Sequence, residues 1–579
     1  MQMAVVNQEL ARIFARIADA LELKGETGFR VLAYRKAARV LADLTEDVAE
    51  LDKANRLETI PGIGSGIAKK IHEYLTTGKM KKLEEATSGL EPGLFTLLEI
   101  PGVGPKTVKL VYEKLGVKDL ESLKRALADG SLAKLPGMGE KKAENILKGI
   151  ETAEHSKERM YLNEADELAQ SIIAHLQKEP QVKKVAVAGS LRRGKETIGD
   201  IDILATGSDP KMIVQRFINY PLIRQVVSAG ETKASILVGT GTGVRQVDLR
   251  VVESDAFGAA LQYFTGSKDH NIALRSMAQK LGLKISEYGV FKGERRIAGK
   301  TEVEVYRALG LPYIEPELRE DRGEIEAAKE GSLPKLIKLE DIKCDLHIHT
   351  DASDGNSSLE EIVAACQERG YSHIAVAEHS VSAGYAGGLN EDELLKRCDE
   401  IDRLNSKLKG FRVLKSAEVD ITTSGRLDYS DKTLARLDLV IAAIHQAFSK
   451  EATSRICYAI QHPLVHLIAH PSGRLIGKRA GYEIDLERVI EYAARFHKVL
   501  EINSYYARLD LNDIWARKAK EAGVLLAINT DAHAVAELNW IRYGVITARR
   551  AWLEKEDVIN CLSFDKLLKL LNKVAPRSF

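Results

Sequence analysis

The chain has 579 residues, 45% hydrophobic and 29% charged, with 84 Lys+Arg against 83 Asp+Glu. That length predicts about four domains, and the apolar fraction excludes a disordered or collagen-like chain. No apolar run approaches the roughly 18 residues of a membrane span, and the start, MQMAVVNQELARIF, is polar and acidic early. A soluble, intracellular protein with no membrane partner is expected.

The near-neutral total hides a division. Residues 1–300 hold 46 Lys+Arg and 39 Asp+Glu, a balance of +7, whereas 301–579 hold 38 and 44, a balance of −6. Four of the 14 histidines precede residue 340 and ten follow it. The five cysteines are also all late but form no CxxC pair, which argues against a disulfide framework and against a cysteine zinc site. A basic front and an acidic, histidine-rich back imply two chemistries on one chain.

To about residue 155 the pattern is helical, broken by a turn that recurs three times: Ile60-Pro-Gly-Ile-Gly64, Ile100-Pro-Gly-Val-Gly104 and Leu135-Pro-Gly-Met-Gly139. Each precedes a lysine-bearing amphipathic helix, so the turns resemble helix-hairpin-helix motifs. Gly62, Gly64, Gly102, Gly104, Gly137 and Gly139 allow close approach, and the following helix offers free N–H groups to a DNA phosphate. Lys69, Lys70, Lys106, Lys109, Lys141 and Lys142 add sequence-independent attraction. The alternative is a plain connection between packed helices. FRVLAYRKAARVL followed by TIPGIGSGIAKKIHEYLTTGKMKKLEE resembles the N-terminal domain of DNA polymerase β and its family X relatives. The resemblance puts Lys70 where that family has a Schiff-base nucleophile for abasic sites, flanked by Tyr34 and Arg35; a phosphate-binding lysine is the alternative. Phe29 stands where a histidine is expected in the 5′-phosphate pocket, and Gly66 where a lysine is, both of which weaken 5′-phosphate binding.

From about 180 the period changes to strands, in VKKVAVAGS, DIDILATG, ASILVGT and RQVDLRVV. Asp200 and Asp202 are two apart in an apolar strand and so share a face. With Asp248 from an adjacent strand they can hold two Mg²⁺ ions for nucleotidyl transfer, and without metal such crowding is costly. Gly189-Ser190, nine residues, then the acidic pair resembles the family X palm. That resemblance implies Gly189, Ser190 and Arg193 on the incoming triphosphate and Gly199 at the turn. The block Tyr263-FTGSKDHNIALRSMA278 resembles the same family's nucleotide-selecting segment. It implies Tyr263, Phe264, Gly266 and Asn271 around the nucleotide and Arg275 near the template. Lys268, where vertebrate relatives are acidic, is expected to attract triphosphate. Core packing is the alternative for Tyr263 and Phe264. The charged stretch 315–340 reads as a linker or a peripheral helix.

After 341 come seven strand-like runs separated by helix-length segments: CDLHIHT, HIAVAEHS, VLKSAEVDI, LDLVIAAIH, HLIAHP, KVLEINS and VLLAINTDAH. They predict parallel β/α units closing as a barrel, and nearly every run ends in His, Asp or Glu, the strand end where such folds put chemistry. A histidine and carboxylate set of this kind is metal-ligand composition. It resembles the PHP (polymerase and histidinol phosphatase) domain. The resemblance implies up to three Mn²⁺ or Zn²⁺ ions on His347, His349, Asp354, His379, Glu418, His445, His470, Asp531 and His533. Glu378 departs from the family's usual Asp; histidines 373, 462, 466 and 497 match no motif; Glu501 and Asn503 are left to packing or substrate contact.

The expected fold is therefore a helical helix-hairpin-helix N-terminal region, an α+β nucleotidyltransferase palm with a small thumb, and a C-terminal distorted (β/α)7 barrel. The boundaries read as 1–88, 89–155, 156–257, 258–318, a linker at 319–340, and 341–579. The resemblance implies a cytoplasmic, nucleoid-associated monomer that fills gaps in base-excision repair from gapped or primer-template DNA and deoxynucleoside triphosphates. Its PHP domain would add Mn²⁺-favoured 3′→5′ exonuclease, AP endonuclease and 3′-phosphatase activities. The competing readings are a structural PHP domain, a non-catalytic DNA-end scaffold, and a small-molecule phosphatase.

Overall fold

In a computed structural model of the chain, the described residues are 2–26, 28–43, 48–54, 56–60, 62–98, 103–140, 142–143, 146–147, 159–241 and 243–574. Gly102 and Lys141, expected at the hairpins, lie outside them. The chain forms two compact units: residues 1–158 with 238–246, and 159–237 with 247–579.

The first unit is helical. Helices Gln2–Leu23 and Phe29–Asp43 bury Leu10, Phe14, Ile17, Val31 and Leu41 in one core, which Ile60, Ile63 and Ile67 of the first hairpin join. Helix Ser65–Thr77 opens at Gly64, whose carbonyl accepts from Ile67 N and Ala68 N at 2.9 Å each. Helix Pro105–Leu115 opens the same way, with Gly104 O accepting from Thr107 N at 2.9 Å and Val108 N at 3.0 Å. The turns match as well: Ile63 N donates to Ile60 O and Met138 N to Leu135 O, both at 3.0 Å. First-turn N–H groups have no intrahelical acceptor and are left to an external one.

The hairpin glycines differ in their surroundings. Gly62 (φ 103°), Gly137 (φ 74°) and Gly139 (φ 64°) take left-handed backbone, which the turn itself demands. Gly62 is half-buried, and a Cβ there would stand 2.7 Å from Lys36 Cε and 3.2 Å from Val40 Cγ2, so its lack of a side chain also lets the turn pack against helix Phe29–Asp43. Gly137 is exposed, with open space where its Cβ would be, and Gly64, Gly104 and Gly139 are equally open.

The second unit begins with β1 (Met160–Tyr161), helix Leu162–Leu176, β2 (Val182–Val187), the helical turn Gly189–Arg192, β3 (Thr197–Ile198) and β4 (Ile201–Gly207). The strands that follow are β5 (Ile223–Ala229), β6 (Lys233–Thr240) and β7 (Gly243–Val251), of which residues 238–246 fall in the first unit. Strands β2, β4, β7, β6 and β5 form one sheet in that order, with β4 and β7 parallel. Helices Phe257–Thr265 and Lys268–Lys280 follow, then a three-stranded sheet of β8 (Lys284–Ser286), β9 (Gly289–Lys292) and β10 (Arg295–Ala298).

Residues 319–340 are packed rather than a free linker. Helix Glu324–Glu330 buries Ile325 and Ala328 in the core of the preceding sheet and helices, and buried Glu324 accepts from His270 at 2.6 Å. Of its few large apolar residues, Ile325, Leu336 and Ile337 are buried and Leu339 is exposed.

The last domain is a seven-stranded parallel sheet: β11 (Cys344–Ile348), β12 (His373–His379), β13 (Arg412–Asp420), β14 (Leu439–Ala443), β15 (Leu467–Ile468), β16 (Val499–Asn503) and β17 (Leu526–Asn529). Past their ends the first and last strands meet, with Asp531 N donating to His347 O and His349 N to Ala532 O, both at 2.9 Å. Strand alternation fills the interior with one parity of each strand: Ala375 and Ala377, Leu439, Ile441 and Ala443, then Ala527. Leu567 and Leu571 of helix Phe564–Val574 pack against this set.

Candidate functional site

In the palm, β4 and β7 run in parallel register with Asp202 and Asp248 as Cα partners, and Asp200 immediately precedes β4. A pocket of about 120 Å³ is lined by Ala188, Asp202, Asp248, Arg250 and Phe264. Burial, then the charges of Asp200 and Asp248, push the Asp202 carboxyl up to about 7. The cluster resists ionisation on its own, and a bound cation would relieve the repulsion. Gly189 has φ +63°, and a Cβ there would stand 2.1 Å from Asp202 Oδ2, so only glycine lets the Gly-Ser turn close on the carboxylates.

The nucleotide-selecting block surrounds the same pocket in part. Phe264 lies under Arg250, 4.8 Å from the ring centroid, with Tyr263 edge-on to it at 5.2 Å. Phe264 also packs on buried Leu204, Phe257 and Ala260, so it is a core aromatic and a pocket wall together. Asn271 is held by Gln262 Nε2 and Tyr263 O, each at 2.7 Å. Lys268 and Arg275 lie on helix Lys268–Lys280, and Ser190 is half-buried in the turn after β2. Arg193 is held by Glu320 at 3.1 Å and Thr265 O at 2.5 Å, and Gly266 packs beside its guanidinium. Gly199 sits against Arg159.

At the C-terminal ends of the barrel strands the interior parity becomes polar: Ala377 is followed by His379, Ser416 by Glu418, Ala443 by His445, and Asn529 by Asp531. All nine expected ligands converge there. Donor atoms lie within 4.8 Å of one another in three groups: His349, Asp354, His379 and His533; His347, His349, Glu418 and Asp531; His379, Glu418 and His445. His470 joins through Glu418 at 2.8 Å. It is out of phase with inward-facing Leu467 and Ala469, and its φ of 28° turns it in; Asp531 has φ 56°. Such left-handed backbone is costly and is found where surrounding structure enforces it.

The donor set fits divalent cations. His349 Nδ1, Asp354 Oδ1, Glu418 Oε2, His445 Nδ1 and His470 Nδ1 are buried without a hydrogen-bond partner among the described residues. The Nε2 atoms of His347 and His349 face each other at 3.2 Å. Burial, then His379, pushes His349 down to about 3, leaving the neutral imidazole a cation needs. Burial opposes protonation of His379 as well, yet Glu418 and Asp354 raise it to about 9.

The comparisons with known proteins agree with this geometry. Residues 159–241 match the family described as DNA polymerase beta palm, 260–320 its thumb, 5–80 and 95–152 helix-hairpin-helix families, and 345–512 the PHP domain. The chain is 39% identical over 573 residues to the DNA polymerase/3′-5′ exonuclease PolX of Bacillus subtilis (strain 168), covering 98% of this chain and 99% of that one. The chain is a family X DNA polymerase with a PHP domain. Two further family X relatives match about half of it: DNA polymerase lambda of Rattus norvegicus, 30% identical over 52% of this chain and 54% of its own, and that of Arabidopsis thaliana, 27% identical over 54% and 62%.

Around the candidate metal-binding cluster of this family X polymerase lie residues that sequence reasoning does not place. Glu501 accepts from His347 Nδ1 and His470 N at 2.8 Å each, so it orients ligands; Asn503 Nδ2 reaches Asp531 at 3.0 Å. Asp420 accepts from His445 N at 3.0 Å. Arg508 is half-buried within the electrostatic reach of Asp531 and Glu418, and its buried Nε has no hydrogen-bond partner among the described residues. Glu378, the departure from the family, points away from the ligands. It accepts from Thr350 Oγ1 at 2.5 Å and Ser353 Oγ at 2.6 Å and pairs with Arg397 at 3.3 Å, anchoring the turn that carries Asp354. Two of the unassigned histidines have structural partners: His466 Nδ1 accepts from Val440 N at 3.0 Å, and His373 packs on Phe564.

In the hairpin unit Lys70 Nζ donates to Gly66 O at 2.8 Å and stands 6.0 Å from the Tyr34 ring. Arg35 is paired with Asp19 at 2.6 Å and Glu22 at 2.9 Å. Phe29 is 93% exposed.

Proposed function

We propose that this family X polymerase fills short gaps in DNA during base-excision repair and trims 3′ ends with its PHP domain. It takes gapped or primer-template DNA and deoxynucleoside triphosphates, and works as a cytoplasmic, nucleoid-associated monomer. One observation carries the reading: the chain holds two separate donor sets, a carboxylate triad in the palm and a histidine-carboxylate cluster in the barrel. Asp200, Asp202 and Asp248 would hold Mg²⁺, and the nine barrel ligands Mn²⁺ or Zn²⁺. Bound cations supply Lewis-acid polarisation of phosphate and neutralise developing charge.

The chain's own residues do the positioning. The Gly189-Ser190 turn and Arg193 receive the triphosphate, Tyr263 and Phe264 wall off the ribose 2′ position, and Asn271, pre-set by Gln262 and the Tyr263 carbonyl, meets the nucleotide edge. Gly266 and Lys268 border the triphosphate side, Gly199 turns the chain into the acidic strand, and Arg275 approaches the template. Hairpin N–H groups and lysines grip the backbone without reading sequence, with open Gly64, Gly104, Gly137 and Gly139 leaving room for it. The name of the Bacillus relative supports exonuclease action at the barrel; cleavage at abasic sites and removal of 3′-phosphates would use the same cluster. Lys70 serves in this reading as a phosphate ligand, because Asp19 and Glu22 already neutralise the neighbouring Arg35 that lyase chemistry would draw on. Schiff-base chemistry is the alternative that borohydride trapping on an abasic duplex detects.

The test is extension and degradation of a gapped duplex with Mg²⁺ and with Mn²⁺. Asp200→Ala is expected to abolish nucleotide addition and spare degradation, and His349→Ala to do the reverse. Loss of both activities from either change refutes two independent sites.

A further inference from the structure

The palm loop that carries Arg193 is pinned from the PHP domain. Helix Ile541–Arg550 lies directly on Gly194, where φ is +65° and a Cβ would stand 2.1 Å from Cγ2 of Ile546. Arg550, only 4% exposed, donates through Nη1 to the Arg193 carbonyl at 2.7 Å and to Glu320 Oε1 at 3.0 Å. The same Glu320 oxygen accepts from Arg193 Nε at 3.1 Å, and Lys195 Nζ lies 3.6 Å away. Arg550 is itself fixed by Asp513, which accepts from its Nη2 at 2.8 Å and from Arg322 at 2.9 Å. Arg550, 357 residues further along the chain, thus holds the Arg193 main chain directly and its side chain through the Glu320 oxygen that both donate to. Burial alone would raise the Glu320 carboxyl, but Arg550, Arg193 and Lys195 hold it down to about 2, so it is charged at any working pH. Arg193 in turn lies near enough to Asp202 to oppose that residue's upward shift, which ties the clamp to the carboxylate triad.

We propose that Arg550 of the PHP domain is a positioning residue of the polymerase: with Glu320 it fixes Arg193 where the incoming triphosphate is received, so the nucleotide site is completed by the domain that degrades DNA. The inference rests on the reading of Arg193 as a triphosphate ligand. Among the described residues the clamp's hydrogen bonds and ion pairs stay clear of the barrel ligands, so its loss separates nucleotide affinity from degradation.

The experiment is single-nucleotide insertion on gapped DNA by the full chain, with degradation of a single-stranded oligonucleotide measured on the same preparations. Arg550→Met is expected to raise the nucleotide KM about tenfold, with kcat within about twofold and degradation unchanged. Arg550→Lys recovers part of the affinity. Arg193→Ala raises KM at least as much, and adding Arg550→Met to it has no further effect, as expected of residues acting as one unit. A wild-type KM for Arg550→Met with intact degradation overturns the clamp. A wild-type KM for Arg193→Ala overturns the underlying reading instead. If Arg550→Met loses both activities, isosteric Glu320→Gln decides: a raised KM supports the clamp, and an unchanged or lowered KM refutes it.

Discussion

At the scale of single residues, the molecule gives up stability where it does chemistry. Asp202 ionises near 7 because burial and two neighbouring carboxylates oppose its charge, whereas in an unfolded chain it ionises near the ordinary carboxylate value of about 3.9. The cost is fully present above pH 7 and absent below the unfolded value. Asp202→Asn is therefore expected to raise the melting temperature in chelator at pH 8, by on the order of 2 °C or more, with the gain shrinking toward pH 5. Nucleotide addition is lost at both pH values. In the barrel the corresponding dependence is on orientation. Glu501 holds the His347 ring and the His470 backbone. Glu501→Gln is expected to lower 3′-end degradation roughly 10- to 100-fold while leaving extension intact. Equal loss of both activities would mean that the substitution damages folding rather than ligand orientation.

At the scale of elements, strand alternation makes much of the site readable. A run such as HIAVAEH places Ala375, Ala377 and His379 on one face, so a small-residue interior ending in a ligand is visible as a pattern of period two. His470 breaks that phase and is legible only by composition, because backbone torsion and not spacing aims it inward. Glu501 and Asp420 carry no such signal, since a carboxylate that steadies a ligand looks in sequence like any other strand-end carboxylate. Gly62 and Gly137 read alike in their Pro-Gly-x-Gly turns, yet Lys36 from a separate helix covers one and leaves the other open. The clamp joins Arg193, Glu320 and Arg550, residues whose proximity no local pattern encodes. The buried clamp also carries a pH signature. Glu320 ionises near 2 when folded and near the usual carboxylate value of about 4.3 when unfolded, so its contribution is complete above the higher value and is lost as pH falls toward the lower. The difference in urea midpoint between wild type and Glu320→Gln is expected to narrow as pH falls from about 5 to about 3. In the proposed grip of the hairpins on DNA, replacing Lys69 and Lys106 by Ala is expected to flatten the salt dependence of binding, equally for all sequences. The slope falls by about one for each phosphate that no longer meets a lysine.

At the scale of the whole chain, two cation-binding chemistries share one compact unit while keeping separate donors. Removing metal is expected to act on both activities but to destabilise chiefly the barrel, where buried imidazoles and carboxylates are held against one another. A calorimetric transition lowered by chelation in wild type, restored by Mn²⁺ and insensitive to either in His349→Ala, is the outcome this assembly requires. The barrel is sewn shut where His347 and His349, at its first strand, pair with Asp531 and Ala532, just beyond its last. A growing polypeptide therefore presents the whole hairpin and palm sequence to solvent before the final ligands, Asp531 and His533, have been synthesised. During translation the barrel's histidine-carboxylate cluster is therefore completed last, after every residue of the palm triad has been synthesised.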